Sequence, residues 1–172
     1  MRGRLSRLTE ARLRFVPAIF GALAIQIVII SVLPGGNPAL HKVLHVASYG
    51  LAAVFLVANR RIPGMWVVAA GAASNLVAIV ANGGVMPASR AAVHTAGITT
   101  HGRDFANSIA LAHPRLLFLG DVFAVPKSWP LANAYSVGDI LIAIGVIIVI
   151  HALSGSRLAG SQRPMVDEPL PR

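Results

Sequence analysis

The sequence predicts an all-α integral membrane bundle of four transmembrane helices with both termini cytoplasmic, and three observations predict it. First, the 172 residues are 55% hydrophobic and only 12% charged, against roughly 25% charged in a soluble domain; mean hydropathy is +0.70. Second, four apolar stretches approach the roughly 17–25 residues that an α-helix needs to cross a bilayer. Third, the basic residues gather at alternate ends of those stretches. The chain carries a formal charge of +9, but arginines at the ends of apolar segments are topology signals and make no basic face for nucleic acid. With no cysteine, disulfide scaffolds, thiolate metal sites and cysteine nucleophiles are excluded, while the redox compartment stays open.

Residues 1–14 read as a basic cytoplasmic arm, with Leu5, Leu8 and Phe15 among arginines suited to an anionic inner leaflet. The first span covers about residues 15–33. It is too long for a signal-peptide core and is followed by Pro34, Gly35 and Gly36, with no small-residue cleavage site, so it is expected to remain as an anchor. The second span, 38–58, opens with Asn37-Pro38, and the third, 65–81, follows a turn at Pro63. The fourth, 139–153, is short unless residues 135–138 extend it. No proline interrupts a span interior. The tail, 155–172, is rich in proline, lacks apolar periodicity and is expected to be disordered.

Orientation follows from the connections. Arg2, Arg4, Arg7, Arg12, Arg14, Arg60, Arg61, Arg157, Arg163 and Arg172 fall on one side, ten of fifteen basic residues, which makes that side cytoplasmic. The other side receives Lys42 in a short turn and a long extracytoplasmic loop, 82–138, expected to contain short helices. Ser89 caps one that ends at Gly97, and a polar stretch follows at 99–107. The apolar run around Leu116 to Val125 is too short to span and carries a charge, so it is expected to pack as an interfacial or re-entrant piece. Trp129 and Tyr135 suit the headgroup level.

Between Ala11 and Val166 the only carboxylates are Asp104, Asp121 and Asp139. Ionisable groups beside hydrocarbon spans mark functional sites, and topology puts Asp121 and Asp139 on the outer face. Depth along the helices allows Asn75, Asn82, His45 and Ser48 to reach the same level, with helix rotation undetermined. Each has a plainer reading beside the functional one. Asp139 can be a helix cap and dipole partner, and Asp121 can serve a turn or pair with Arg115. Asn75, next to Ser74, can make interhelical hydrogen bonds. Asn82-Gly83-Gly84 reads as a chain reversal. His41 and His45 have i, i+4 metal-ligand spacing without a specified third ligand, so no metal and no cofactor is expected. Gly21, Gly50, Gly71 and Gly145 fit close helix packing.

Four segments, Asn59-Arg60-Arg61-Ile62-Pro63-Gly64-Met65, Asn82-Gly83-Gly84-Val85-Met86-Pro87, Phe118-Leu119-Gly120-Asp121 and Tyr135-Ser136-Val137-Gly138-Asp139-Ile140-Leu141, resemble the signature of an uncharacterised family of small bacterial multi-span membrane proteins, a domain of unknown function. That resemblance covers about residues 16–153 and implies a membrane protein without implying an activity. A more distant likeness is to signal peptidase II, the lipoprotein signal peptidase. That family has four spans, both termini inside and two catalytic aspartates near the outer face, the second opening the last helix after Asn-x-Ala. Ser136-Val137-Gly138-Asp139 is similar to that context, Asp121 precedes Asp139 by 18 residues, and Ser74-Asn75-Leu76 is similar to the family's Gly-Asn segment. The departures are Ser136 in place of the family's Asn, no arginine after Asn75, and the outer insertion following the third span instead of the first.

The expected function is therefore a structural or accessory component of the bacterial inner membrane, acting in the lipid bilayer with a membrane-protein partner or as a homo-oligomer, and without nucleic acid. The alternative is an aspartic intramembrane peptidase in which Asp121 and Asp139 share a proton, one carboxyl donating to the scissile carbonyl and the other activating water. That chemistry needs the two carboxyls roughly 3–6 Å apart around one water. A small transporter or channel component is the further alternative, supported by polar residues within the spans but by no inverted repeat.

Overall fold

A computed structural model describes residues 13–32, 37–98 and 108–155. Residues 1–12 of the N-terminal arm, the polar stretch at 99–107 with Asp104, and the tail after residue 155 lie outside the described residues, and with them the expectations of a leaflet-bound arm and a disordered tail.

The described chain is mostly helical. Helix α1, Val16–Ile27, has Pro17 in its first turn and continues as a π-helical segment, Val28–Val32. Helix α2, Pro38–Ala58, is capped by Asn37, whose side chain accepts from the backbone N–H groups of Ala39 and Leu40 at 2.9 and 3.2 Å. With proline at the first helical position, where no intrahelical N–H bond is lost, this start is fully specified by local chemistry. Helix α3, Met65–Ala81, begins after Gly64 at φ +91°. Helix α4, Arg90–Ala96, is capped by Ser89 and ended by Gly97 at φ +67°, as the spacing predicts. Helix α5, Val137–Leu153, starts two residues earlier than Asp139, because Ser136 caps it.

The four long helices pack in sequence, α1 on α2, α2 on α3 and α3 on α5. The α3–α5 contact is the tightest: a Cβ on Gly71 would lie 2.9 Å from the Ile142 backbone nitrogen, and one on Gly145 would lie 2.6 Å from that of Val68. Backbones that close leave no room for a side chain, so these two glycines set the helix separation. The expectation for the other two is corrected. Gly21 has only an ordinary contact with Leu51, and Gly50 faces open space.

The segment between α3 and α5 differs from the expected loop of short helices. Beside α4 it holds two small ribbons: β1, Met86–Pro87, pairs in parallel with β2, Ser108–Ile109, and β3, Asp121–Val125, pairs antiparallel with β4, Asn133–Ser136. The apolar run therefore forms a 3-10 turn, Leu117–Leu119, and then a strand. Its reading as an interfacial or re-entrant piece rested on length and charge, whereas Val122, Phe123 and Val125 are strand formers with a partner strand close behind them. The buried apolar clusters gather at this end of the bundle: Ile29 with Val85, Ala78 and Ile79 with Met86, and Ala92 and Ala96 with Ala134.

Among the described residues one helical stretch, Ala39–Ala58, is long and apolar enough to cross a membrane by length and composition. Helices α1, α3 and α5 are apolar but shorter.

Candidate functional site

At the loop end, Asp121, Ser136 and Asp139 are assembled by two kinds of backbone order. The antiparallel β3–β4 ribbon sets Asp121 opposite Ser136, and residues directly opposite in such a pair project to the same face. Ser136 ends β4 and caps α5. Its hydroxyl accepts from the Asp139 N–H at 2.9 Å, while its own N–H donates to Asp139 Oδ2 at 2.9 Å. This reciprocal capping box satisfies two N–H groups that a helix start otherwise leaves without partners. A carboxylate in the first turn also meets the positive end of the helix dipole.

Asn75 reaches this arrangement from α3. Its Nδ2 donates to Asp139 Oδ1 at 2.8 Å, and its Oδ1 accepts from the Ser136 hydroxyl at 2.8 Å. Both Asp139 oxygens are thus held, one by a side chain of α3 and one by the helix's own cap. The approach depends on Gly138, where any Cβ would collide with the Asn75 side-chain oxygen. Asn75 and Ser136 are buried.

Asp121 is 3% exposed. Its carbonyl accepts from the Ser89 N–H at 3.0 Å, and it bridges in parallel to Ala88. Three chain segments therefore converge on its backbone: the stretch entering α4, β3 itself and β4.

Tyr49, which the sequence reading did not single out, joins the cluster from α2. It interacts with the Asn75 side chain and lies within electrostatic reach of both Asp139 and Asp121. The signal was present in its spacing, four residues beyond His45 and so on the same helical face; their rings stand 5.9 Å apart.

The remaining candidates go elsewhere. His45 is buried, and its Nδ1 donates to the Gly84 carbonyl at 3.1 Å, tying α2 to the turn after α3. Ser48 donates to the His45 carbonyl at 2.7 Å and accepts from Gln26 Nε2 at 2.9 Å, tying α1 to α2. Asn82 donates to the carbonyls of Ala78 and Arg115, each at 2.7 Å, and accepts from the Arg115 N–H at 2.8 Å. It therefore fastens the chain before β3 to the end of α3. Among the described residues no three His, Asp, Glu or Cys side chains gather as a metal would require.

Chemically, the cluster offers two carboxyls, a phenol, an amide and a hydroxyl, with Asn75, Asp121 and Ser136 buried and Tyr49 and Asp139 half-buried. Such a set can lock helices together, and it holds the groups that proton transfer would need. No curated protein and no solved structure matches the chain. With a match that runs from residue 10 to 151, and so takes in three of the long helices, all but the last two residues of α5 and the whole cluster, the chain belongs to the family of unknown function DUF5317.

Proposed function

We propose that the protein is a multi-pass structural or accessory component of the plasma membrane, with α1, α2, α3 and α5 as its four spans and the segment between α3 and α5 outside. The observation that carries this is the use made of its polar side chains. Polar side chains join each long helix to the next: Gln26 to Ser48 between α1 and α2, His45 of α2 to the Gly84 carbonyl just past α3, and Asn75 to Asp139 between α3 and α5. In a bilayer, where apolar packing gives little drive for association, such hydrogen bonds and close glycine contacts hold helices together. The outward surfaces support the membrane reading, with Phe20, Val54, Trp66, Val80 and Ile147 all exposed; apolar surface of that extent marks lipid or partner contact.

Reporters fused at Gly97 and after Gly155 test the topology. Activity outside the cell at Gly97 and inside after Gly155 is expected, and the opposite pattern overturns the orientation. Asn substitutions of Asp121 and Asp139 test the role of the cluster: a structural lock predicts loss of folded, monodisperse protein in detergent.

A second reading, an aspartic peptidase similar to signal peptidase II, is favoured by one observation. The β3–β4 register sets Asp121 opposite Ser136, the residue whose N–H bonds Asp139, so both acids neighbour the same residue. It predicts that the same Asn variants stay folded but stop processing of membrane-anchored proteins.

A further inference from the structure

The opposite end of the bundle holds a cleft of ≈ 490 Å³ between the start of α1 and the last two turns of α2. One wall is a single helical face, Gly50, Ala53, Val54 and Val57, spaced at three and four residues. Arg14 and Arg60 stand at its mouth. Among the described residues the only carboxylates are Asp121 and Asp139, both at the far end, so this mouth is purely cationic.

The mouth is also built. Buried Asn59 donates to the Arg14 carbonyl at 2.8 Å and accepts from the Arg14 N–H at 2.9 Å, and a third bond to the Phe55 carbonyl at 2.8 Å fixes its amide on α2. Phe15 follows in the left-handed region at φ 54°, a conformation that residues other than glycine rarely hold without a surrounding constraint. Arg60 donates one N–H to the Val57 carbonyl at 3.1 Å, which lays its guanidinium along the end of α2. Gly50 has nothing within 4 Å of where its Cβ would stand, so the floor of the cleft is open.

We propose that this cleft is a binding site for an anionic phospholipid of the cytoplasmic leaflet. The phosphate sits between Arg14 and Arg60, and one acyl chain lies along the face from Val57 to Gly50. The inference rests on the membrane reading above. A guanidinium matches phosphate geometry through paired N–H donors, and an apolar groove leading away from that pair matches a chain attached to the phosphate. Charge weighs against a second copy of the protein as the occupant, because symmetric docking would bring two Arg14 and two Arg60 side chains together with no carboxylate among the described residues there.

The test uses the purified full chain. Flotation with phosphatidylcholine vesicles comes first, and a chain that fails to float overturns the membrane reading and this site together. Lipid adducts are then counted by native mass spectrometry in detergent against phosphatidylglycerol and phosphatidylcholine of matched chains. Phosphatidylglycerol is expected to be retained selectively, with glycerol phosphate unable to displace it. Arg14→Gln and Arg60→Gln are each expected to weaken retention about fivefold, given the worth of one basic residue near an anionic lipid, while Arg61→Gln leaves it within about twofold. Gly50→Leu fills the groove without changing charge and is expected to abolish the adduct, with helicity by circular dichroism confirming an intact fold. Equal retention of both lipids, displacement by glycerol phosphate, equal loss with Arg61→Gln, retention by folded Gly50→Leu, or a lipid-free dimer would each overturn the site in a chain that floats.

Discussion

Asn75 and Asp139, 64 residues apart in the chain, are joined by a 2.8 Å hydrogen bond that runs from α3 to the first turn of α5. The same amide takes the Ser136 hydroxyl on its oxygen. One side chain of α3 thereby fixes both the cap and the acid of the next long helix.

This pair should be energetically coupled. A double-mutant cycle with Asn75→Ala and Asp139→Asn, read by thermal unfolding in detergent, is expected to return a coupling of about 0.6–1.7 kcal/mol, the range found for interhelical hydrogen bonds in a membrane protein. Strict additivity of the two substitutions would mean that the bond contributes nothing to the fold.

Ser136→Ala removes more than a cap. The loss of capping costs about 1 kcal/mol, and the buried Asn75 oxygen loses its donor as well, a penalty of about 1–3 kcal/mol. A drop in stability larger than that of Ser89→Ala, which removes only the α4 cap, is the expected result in parallel melts.

Gly71 and Gly145 should tolerate nothing larger. Gly145→Val is expected to destabilise by about 1–3 kcal/mol or more, the usual cost of overpacking, because the obstacle is the Val68 backbone and a backbone cannot rotate aside. Gly21→Ala, with only an ordinary contact to Leu51, is expected to leave the melting temperature nearly unchanged.

Asn82→Ala acts on the outer segment. It deletes the hydrogen bonds to the Ala78 and Arg115 backbones, so hydrogen exchange should accelerate at Arg115 and in the following 3-10 turn while α5 keeps its protection. Uniform acceleration through α5 would show that the outer segment and the helices unfold as one unit.

Ser74 has the opposite character. Its hydroxyl is buried and makes no hydrogen bond among the described residues, so Ser74→Ala relieves an unsatisfied polar group. Equal or higher thermal stability is expected, and a clear loss would show that the hydroxyl has a partner.

How far the sequence could be read depended on whether the deciding interaction was local. The start of α2 follows from Asn37-Pro38 because capping acts within three residues, and the start of α3 follows from the turn at Pro63. Ser89 and Gly97 bracketed α4 for the same reason. The ribbons were not legible, since β3 and β4 are specified by each other and the short apolar run gave no clean alternation to separate strand from interfacial piece. Within the site, Asn75, Asp121 and Asp139 stood out as polar groups in apolar surroundings. Their partners did not, because depth along a helix can be counted from sequence and rotation about its axis cannot. Asn82 and Ser48 reached the right level and turned away; Tyr49 turned toward the cluster unnoticed.

The reciprocal bonds between Asn59 and the Arg14 backbone span 45 residues, and they bear on the order of assembly. At synthesis Arg14 appears 45 residues before Asn59, so the beginning of α1 can be fastened in this way only once α2 is complete. Substituting Asn59 would release the beginning of the chain while leaving the α3–α5 pair, fastened at the other end, intact.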